Sequence, residues 1–214
     1  PLGKVKNQHA LIFGVILSFI SVAGLYFFSN FLSALILAIT ILFYIFIYTI
    51  WLKRSTPQNI VIGGAAGSFP PVIGWTISSN SISVEPIILF LIIFLWTPSH
   101  FWALSLYKNE DYKKAKIPML SVVSGEAVTK KNILFYAVIL WPFTLAPYFL
   151  GFASYSNLLF SSLFGFFYIY LSFQLLITKE KSLSHRIARN IFIYSIFYLF
   201  FIFSTILIDN YFFL

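Results

Sequence analysis

Cysteine is absent from the 214-residue chain, and acidic residues are scarce, with only six aspartates and glutamates. The lack of cysteine excludes disulfide bonds and thiolate metal sites. Charged residues of both signs make up only 9% of the chain, against roughly 25% in a typical water-soluble domain. So few charges could not cover the surface of a water-soluble fold. The sequence therefore predicts that lipid surrounds most of the protein.

Apolar residues make up 60% of the chain and form seven runs long enough to cross a bilayer as helices. The runs cover residues 9–29, 31–51, 59–78, 86–106, 132–151, 157–177 and 190–208. They predict an all-α membrane protein, a single domain built as a bundle of about seven transmembrane helices. Pro70 and Pro71 are expected to break or kink the third helix, which is tolerated at membrane depth only inside a bundle or beside a cavity. Gly63 and Gly67 in the same run could serve close helix packing alone.

The fourteen lysines and arginines, which give a net charge of +8, are confined to alternate connections between these runs. The basic stretches are residues 1–8, 52–58, 107–131 and 178–189. The intervening connections contain no lysine or arginine. By the positive-inside rule, the N-terminus and every basic loop are cytoplasmic. Because the basic residues follow the topology, we expect no nucleic-acid partner.

A first group of candidate site residues lies in the connection that leads into the third run. The group is Lys53, Arg54, Thr56 and Asn59. Two adjacent cations with a hydroxyl and an amide could hold a phosphate at the mouth of the bundle. The alternative is that the cations only anchor the cytoplasmic end, as expected for any such loop.

A second group lies at the end of the fourth run and in the loop behind it. Its members are Trp96, His100, Phe101, Trp102, Tyr107, Asp111 and Tyr112. If the helix continues past Tyr107, then His100, Tyr107 and Asp111 share one stripe that points toward the cytoplasm. Ionisable residues near membrane depth are costly and are therefore functional candidates. The alternatives are a hydrogen-bonded histidine within the bundle and a solvated aspartate among lysines.

Several familiar kinds of site are missing from the sequence. It contains no glycine-rich phosphate-binding loop before a lysine, no nucleophile elbow and no zinc-ligand spacing. The helix interiors carry almost no charge, which argues against an ion-coupled transporter.

Three stretches resemble signatures of the protoheme IX farnesyltransferases, or heme O synthases, of the UbiA-type prenyltransferase superfamily. They are residues 48–67, 96–104 and 111–120. The resemblance implies a membrane bundle with a central cavity, in the inner (plasma) membrane, that transfers farnesyl from farnesyl diphosphate to a vinyl group of heme B. The product, heme O, would serve terminal oxidases directly or through a downstream heme A synthase. Two alternatives stay open: a quinone precursor as acceptor, and an inactive protein that binds heme or lipid.

The resemblance also implies a role for each candidate residue. The implied catalytic set is Asp111, Lys53, Arg54, Tyr107 and Tyr112. The implied substrate-binding set is Thr56, Asn59, Trp96, His100, Phe101 and Trp102. The implied cofactor is Mg²⁺, with Asp111 as its ligand, while Lys53 and Arg54 stabilise the diphosphate. The aromatic side chains would surround an allylic cation, and His100 would contact the heme at its iron or a propionate.

One family feature has no counterpart in this chain. The superfamily pattern has about nine spans and a first aspartate-rich motif after the second one. This chain begins at Pro1, and its only methionine is Met119. We therefore expect it to lack the first two spans and that motif, and the natural protein to be longer. With Glu110 and Asp111 as the only acids at the mouth, we expect this chain alone to be inactive.

Overall fold

The computed structural model describes the backbone of residues 5–212 and the side chains as far as Tyr211. All regular structure within that range is helical. The α-helices are α1 (Asn7–Phe28), α2 (Phe31–Leu42), α3 (Asn59–Ser68), α4 (Pro70–Ser79), α5 (Val84–Tyr107), α6 (Asn109–Lys114), α7 (Leu120–Val123), α8 (Gly125–Phe149), α9 (Tyr155–Ile177) and α10 (Lys181–Phe212). They provide seven segments that are long and apolar enough to cross a membrane, counted over the described residues. The predicted all-α membrane bundle is confirmed.

The third span is broken where the sequence predicts. α3 ends at Ser68, and Pro70 and Pro71 are the first two residues of α4. Proline has no backbone N–H, and its ring collides with the preceding turn, so it is tolerated at a helix start but not in the interior. The Ser68 hydroxyl donates to the carbonyl oxygen of Gly64 at 2.8 Å, so its polar atom is paired within the bundle.

The second span changes its winding, which hydropathy did not predict. After Leu42 the chain continues as a π-helix over Phe43–Trp51 and then as a 3₁₀ turn over Leu52–Arg54. The Thr49 hydroxyl donates to the carbonyl oxygen of Tyr44, five residues earlier, at 2.9 Å. Stretches of π-helix are rare and are often found at functional sites. This one determines where Tyr44 and Tyr48 point.

Two helices begin earlier than hydropathy predicts. α8 starts at Gly125 rather than at residue 132, and α10 starts at Lys181 rather than at residue 190. The loop predicted over residues 107–131 also contains the short helices α6 and α7. Polar contacts stabilise these extensions: Lys130 Nζ donates to the carbonyl oxygen of Thr178 at 2.9 Å, and His185 Nε2 lies 3.5 Å from Glu126 Oε1. Both extensions thus continue the helices beyond their apolar parts.

α5 is the central helix of the bundle. It packs against α3, α8 and α10, and α9 completes the packing against α8 and α10. The largest fully buried side chains, among them Trp102, Tyr168 and Tyr198, lie between these helices. α1 packs mainly against α2, and none of its residues is buried. The core, and with it any rigid site, therefore lies around α5.

The two glycines expected to form one packing pair in α3 have different surroundings. A Cβ atom on Gly63 would lie 2.1 Å from Tyr48 Cδ2, whereas a Cβ atom on Gly67 would have nothing within 4 Å. Tyr48 cannot easily withdraw, because its ring packs against that of Tyr44 with centroids 5.3 Å apart.

We therefore predict that Gly63→Ala destabilises the protein by about 1–3 kcal/mol, because the added methyl group displaces Tyr48. The matched control is Gly67→Ala in the same helix, which should unfold at or above the temperature of the parent protein. Thermal unfolding in detergent, followed by circular dichroism, compares the two. Equal effects would show that α3 and the π-helix are not in tight contact.

Candidate functional site

The three basic segments that lie within the described residues meet at one end of the bundle, called here the basic end. They are residues 52–58, residues 107–131 and residues 178–189. The bond between Lys130 and Thr178 and the contact between His185 and Glu126 join the last two. Tyr48, one turn before the first segment, is close enough to Tyr112 of α6 for the two phenol groups to interact electrostatically.

A cavity of about 280 Å³ lies between the π-helix, α3 and α5. Its lining residues are Tyr44, Tyr48, Ile60, Gly63, Gly64, Gly67, Ile93, Trp96, Thr97 and Phe101. Four of these side chains are aromatic and three positions are glycines, of which only Gly67 has no atom within 4 Å of where a Cβ would lie. A Cβ atom on Gly64 would lie 2.9 Å from Thr97 Cγ2, so the absence of a side chain at Gly64 makes room for Thr97 of α5. We call this space the ring-lined cavity.

Trp96 separates the ring-lined cavity from a second apolar depression of about 320 Å³. The second depression lies between α5 and α10, and its lining residues are Ile93, Trp96, Ile196, Leu199, Phe200 and Phe203. Trp96 Nε1 donates to the carbonyl oxygen of Ser195 at 2.8 Å, which fixes the indole between the two spaces. The orientation of Trp96 thus determines the shape of both.

His100 lies in a stack of aromatic rings one turn after Trp96. Its ring is 4.2 Å from that of Trp96 and 4.4 Å from that of Phe192, nearly parallel to both. Phe101 contacts the imidazole edge-on at 5.0 Å. His100 Nδ1 is 2.6 Å from Ser195 Oγ, and the histidine is 94% buried, with 6% of its surface exposed. The imidazole is therefore held on both faces and at one nitrogen.

The mouth of the site at the basic end is formed by tyrosines. α5 ends at Tyr107, and its ring contacts that of Phe192 edge-on at 6.3 Å. The helix does not continue past Tyr107, so the single stripe expected from His100 to Asp111 is interrupted at Lys108, which precedes the start of α6 at Asn109. α6 instead brings Tyr112 back toward Tyr107 and Tyr48. Burial raises the pKa of the Tyr112 phenol above its ordinary value of 10.0, and the nearby Tyr107 and Asp111 raise it further.

The two acidic residues of α6 lie in solvent beside lysines. Asp111 Oδ2 is 3.3 Å from Lys108 Nζ, and Glu110 Oε1 is 3.0 Å from Lys113 Nζ. The hydrogen bond and charge of Lys113 lower the pKa of Glu110 below its usual range. The Asp111 side chain is 64% exposed, so its ion pair with Lys108 contributes little to stability. No cluster of three or more metal-binding side chains occurs among residues 5–212.

Lys53 and Arg54 lie in the 3₁₀ turn that follows the π-helix. Lys53 is half-buried and Arg54 is exposed, and neither forms an ion pair with any acid among the described residues. Asn59 is buried, and its Nδ2 donates to the carbonyl oxygen of Lys53 at 3.2 Å, while its Oδ1 has no partner. The Thr56 hydroxyl accepts from the backbone N–H of Gln58 at 3.2 Å. Thr56 and Asn59 thus shape the turn that presents the two cations.

A scan against protein families matches residues 1–203 to the UbiA prenyltransferase family. The chain belongs to this family. Curated relatives named protoheme IX farnesyltransferase occur in Pelagibacter ubique and in Parvibaculum lavamentivorans. They are 56% and 49% identical to this chain over 98% of its length, and the match covers 69% and 66% of the relatives. The chain thus spans about two thirds of the length of these proteins.

A solved structure shows the same fold at lower sequence identity. It comes from a study of digeranylgeranylglyceryl phosphate synthase in membranes, with a TM-score of 0.75 and 21% identity. The match covers 96% of this chain and 72% of that one. The two proteins thus share an arrangement of helices although most of their sequence differs.

In this UbiA chain, some of the aromatic residues predicted to bind substrate do not line the ring-lined cavity. Phe101 and Trp96 do, but Trp102 is 1% exposed and packs edge-on against Tyr136 of α8 at 5.4 Å. Its Nε1 has no hydrogen-bond partner among the described residues. Trp102 therefore lies in the core, between α5 and α8.

Sequence reasoning missed the contribution of α10 and of the π-helix. Phe192 and Ser195 complete the surroundings of His100, and Arg189 lies close enough to Tyr107 to interact with it electrostatically. The sequence did contain a signal, because Arg189, Phe192 and Ser195 recur at a helical spacing of three residues. No comparable sequence signal pointed to Tyr44 and Tyr48, since hydropathy does not indicate a change in helical winding.

We predict that the Tyr112 phenol ionises above pH 10, since its pKa is raised. The difference in absorbance at alkaline pH between the parent protein and Tyr112→Phe isolates this titration. Asp111→Asn should lower the midpoint slightly, because it removes a negative charge that opposes the phenolate. A midpoint at or below pH 10, or no response to Asp111→Asn, would contradict the geometry of the mouth.

Proposed function

We propose that this protein transfers a farnesyl group from farnesyl diphosphate to a vinyl group of protoheme IX, which gives heme O. One observation carries the proposal: a cavity lined by aromatic rings lies between the π-helix and α3, and the turn between these two helices carries Lys53 and Arg54, which pair with no acid among the described residues. A prenyl diphosphate has the same two parts, a hydrocarbon chain and a strongly anionic head. The shared name of the curated relatives supports heme as the acceptor.

Lys53 and Arg54 would bind the diphosphate. When the carbon–oxygen bond of the farnesyl group breaks, both bonding electrons leave with diphosphate and its negative charge grows. Preorganised cations stabilise that charge more in the transition state than in the substrate, which is the requirement for catalysis. Because neither cation is paired with an acid among residues 5–212, binding diphosphate would not require any ion pair in that range to break.

Asp111 would hold Mg²⁺ together with the diphosphate oxygens. In proteins, this ion commonly takes one or two carboxylates and completes its shell with water and phosphate. The exposed position of Asp111 at the mouth fits such a shared site. The described residues do not fit a site in which protein side chains alone coordinate the ion. When bound, the ion would supply positive charge at the leaving group. Lys108 would have to release Asp111 first.

The ring-lined cavity would receive the farnesyl cation. Trp96, Phe101 and Tyr48 present aromatic faces and edges to this space, and aromatic faces stabilise cations, most strongly where water is excluded. The π electrons of the heme vinyl group would form the new carbon–carbon bond. Water would then add to the resulting cation and lose a proton, so that charge and atoms balance.

His100 would contact the heme, at the iron or at a propionate. Tyr107 and Tyr112 would border the mouth, while Thr56 and Asn59 would act through the turn that they shape. The proposal assigns Trp102 no contact with either substrate. It further places the basic end in the cytoplasm and the protein in the inner (plasma) membrane, where a heme A synthase or an oxidase could take up the product.

We predict that Arg54→Gln weakens the binding of farnesyl diphosphate, in the presence of Mg²⁺, by about tenfold. The matched control is Lys131→Gln, which removes the same charge from an exposed position of α8 at the same end. Isothermal titration with protein in lipid nanodiscs measures both, and the loss should shrink at high salt. Equal losses in the two variants would mean that only the overall charge of the basic end matters.

The reaction itself is tested by expression in a bacterial host that lacks its own heme farnesylation. Mass spectrometry of extracted heme should show hydroxyethylfarnesyl heme if this chain is active with farnesyl diphosphate and Mg²⁺. Aromatic acids offered in place of heme provide the control for acceptor choice. Prenylated aromatic acid without farnesylated heme, from protein shown to be inserted in the membrane, would overturn the proposed acceptor.

A further inference from the structure

The hydroxyl group of Ser195 has a defined set of hydrogen bonds. Ser195 lies on α10 and is completely buried. Its Oγ donates to the carbonyl oxygen of Phe192, one turn earlier in the same helix, at 2.7 Å. A serine hydroxyl carries one proton and can accept up to two further hydrogen bonds. With that proton directed at Phe192, Ser195 Oγ can only accept from its other neighbours.

His100 is the second hydrogen-bond partner of Ser195 Oγ, and which of the two donates depends on the histidine tautomer. The distance from His100 Nδ1 to Ser195 Oγ is 2.6 Å, which requires a proton between the two atoms. Assigning the Ser195 proton to the carbonyl oxygen of Phe192, which can only accept, places the proton of this bond on Nδ1 of the imidazole. A neutral imidazole carries only one N–H group. Nε2 is therefore the nitrogen with a free lone pair.

The environment of Nε2 fits this assignment. Nε2 has no hydrogen-bond partner among residues 5–212. It is also not one of the side-chain nitrogen or oxygen atoms that are completely enclosed without a partner. Nε2 therefore keeps access to space beyond the ring stack. Trp96 and Phe192 cover the two faces of the imidazole, so the ring cannot turn to exchange its nitrogens without disturbing both.

Ser99 and Tyr168 fix the same corner of the bundle from α5 and α9. The Ser99 hydroxyl donates to the carbonyl oxygen of Trp96 at 3.1 Å, and its Oγ lies 2.8 Å from the Tyr168 hydroxyl. Tyr168 also interacts with Ser195. The phenol carries one proton, so Tyr168 can donate to only one of the two serines. The position of Ser195 is thus set independently of any ligand.

We propose that Ser195 is a positioning residue that holds His100 in the Nδ1–H tautomer and so presents an Nε2 lone pair to an electron-pair acceptor. The acceptor class is a metal centre of a bound tetrapyrrole or an N–H or O–H donor, and the choice of heme iron rests on the proposed function. A hydrogen bond from the second nitrogen commonly sets the tautomer and orientation of a histidine that binds metal.

The tautomer is tested without any substrate. The chain contains three histidines, so His9→Gln combined with His185→Gln leaves His100 as the only one. ¹⁵N NMR of labelled protein in nanodiscs should show a protonated Nδ1 and an unprotonated Nε2. Ser195→Ala should lose this state, and Ser195→Thr should restore it by returning the hydroxyl group.

The matched control is Ser172→Ala. Ser172 is equally buried and also donates to a carbonyl oxygen of its own helix, that of Tyr168 at 2.8 Å, but it does not contact His100. A purely structural effect of serine removal would appear in both variants. A protonated Nε2 in the parent protein, or an unchanged spectrum in Ser195→Ala, would overturn the inference.

Heme binding is the second readout, followed by the absorption spectrum of heme added to nanodiscs. Ser195→Ala should weaken binding by about 10-fold and alter the iron spectrum, since losing such a supporting bond typically costs 10- to 100-fold in affinity. Ser172→Ala should bind as the parent does. Heme that binds equally well to Ser195→Ala, with an unchanged spectrum, would count against the positioning role. A parent protein that shows the expected tautomer but binds no heme would overturn the proposed function and support the tautomer assignment.

Discussion

Ser195 joins α5 to α10 through two bonds, and the form of the site depends on that junction. Its carbonyl oxygen accepts from Trp96 Nε1, and its hydroxyl oxygen lies 2.6 Å from His100 Nδ1; Trp96 and His100 are one turn apart on α5. Hydrogen bonds between helices in a membrane are worth only about 0.6 kcal/mol on average, so they do not account for the stability of the bundle. They are directional, however. Their effect is to fix the angles of two rings that apolar packing alone would leave less defined.

The number and order of the spans could be predicted because hydropathy and charge respond directly to the lipid. The break before Pro70 was equally predictable, since it follows from the covalent structure of proline. The starts of α8 and α10 were not, because hydropathy reports where lipid ends rather than where a helix ends. Lys130 illustrates the difference: its charge predicted a loop, whereas its Nζ binds the last turn of α9.

The candidate site was predictable within one helix and unpredictable between helices. Trp96 and His100 are four residues apart, so an α-helix places them on the same side, whereas Trp102 lies about 200° around the helix from His100. Helical geometry therefore accounts for the separation of Trp102 from the site. Nothing in the sequence near His100 indicated Ser195, which is distant along the chain. The π-helical winding that brings Tyr48 against Gly63 has no established sequence signal either.

In the candidate site the charged residues lie at the mouth and the apolar residues line the cavity. This separation explains why the exposed position of Asp111 suits the proposed reaction. Two unit charges 4 Å apart interact by about 1 kcal/mol in water and by about 4 kcal/mol at the lower effective dielectric of a protein surface. In the free protein the Asp111–Lys108 pair is in the weaker regime. A prenyl diphosphate that covers the mouth would displace water and move Asp111, Lys53 and Arg54 into the stronger one. The hydrocarbon chain, already excluded from water by the ring-lined cavity, would hold the diphosphate there. On this argument, substrate binding completes the electrostatic part of the site.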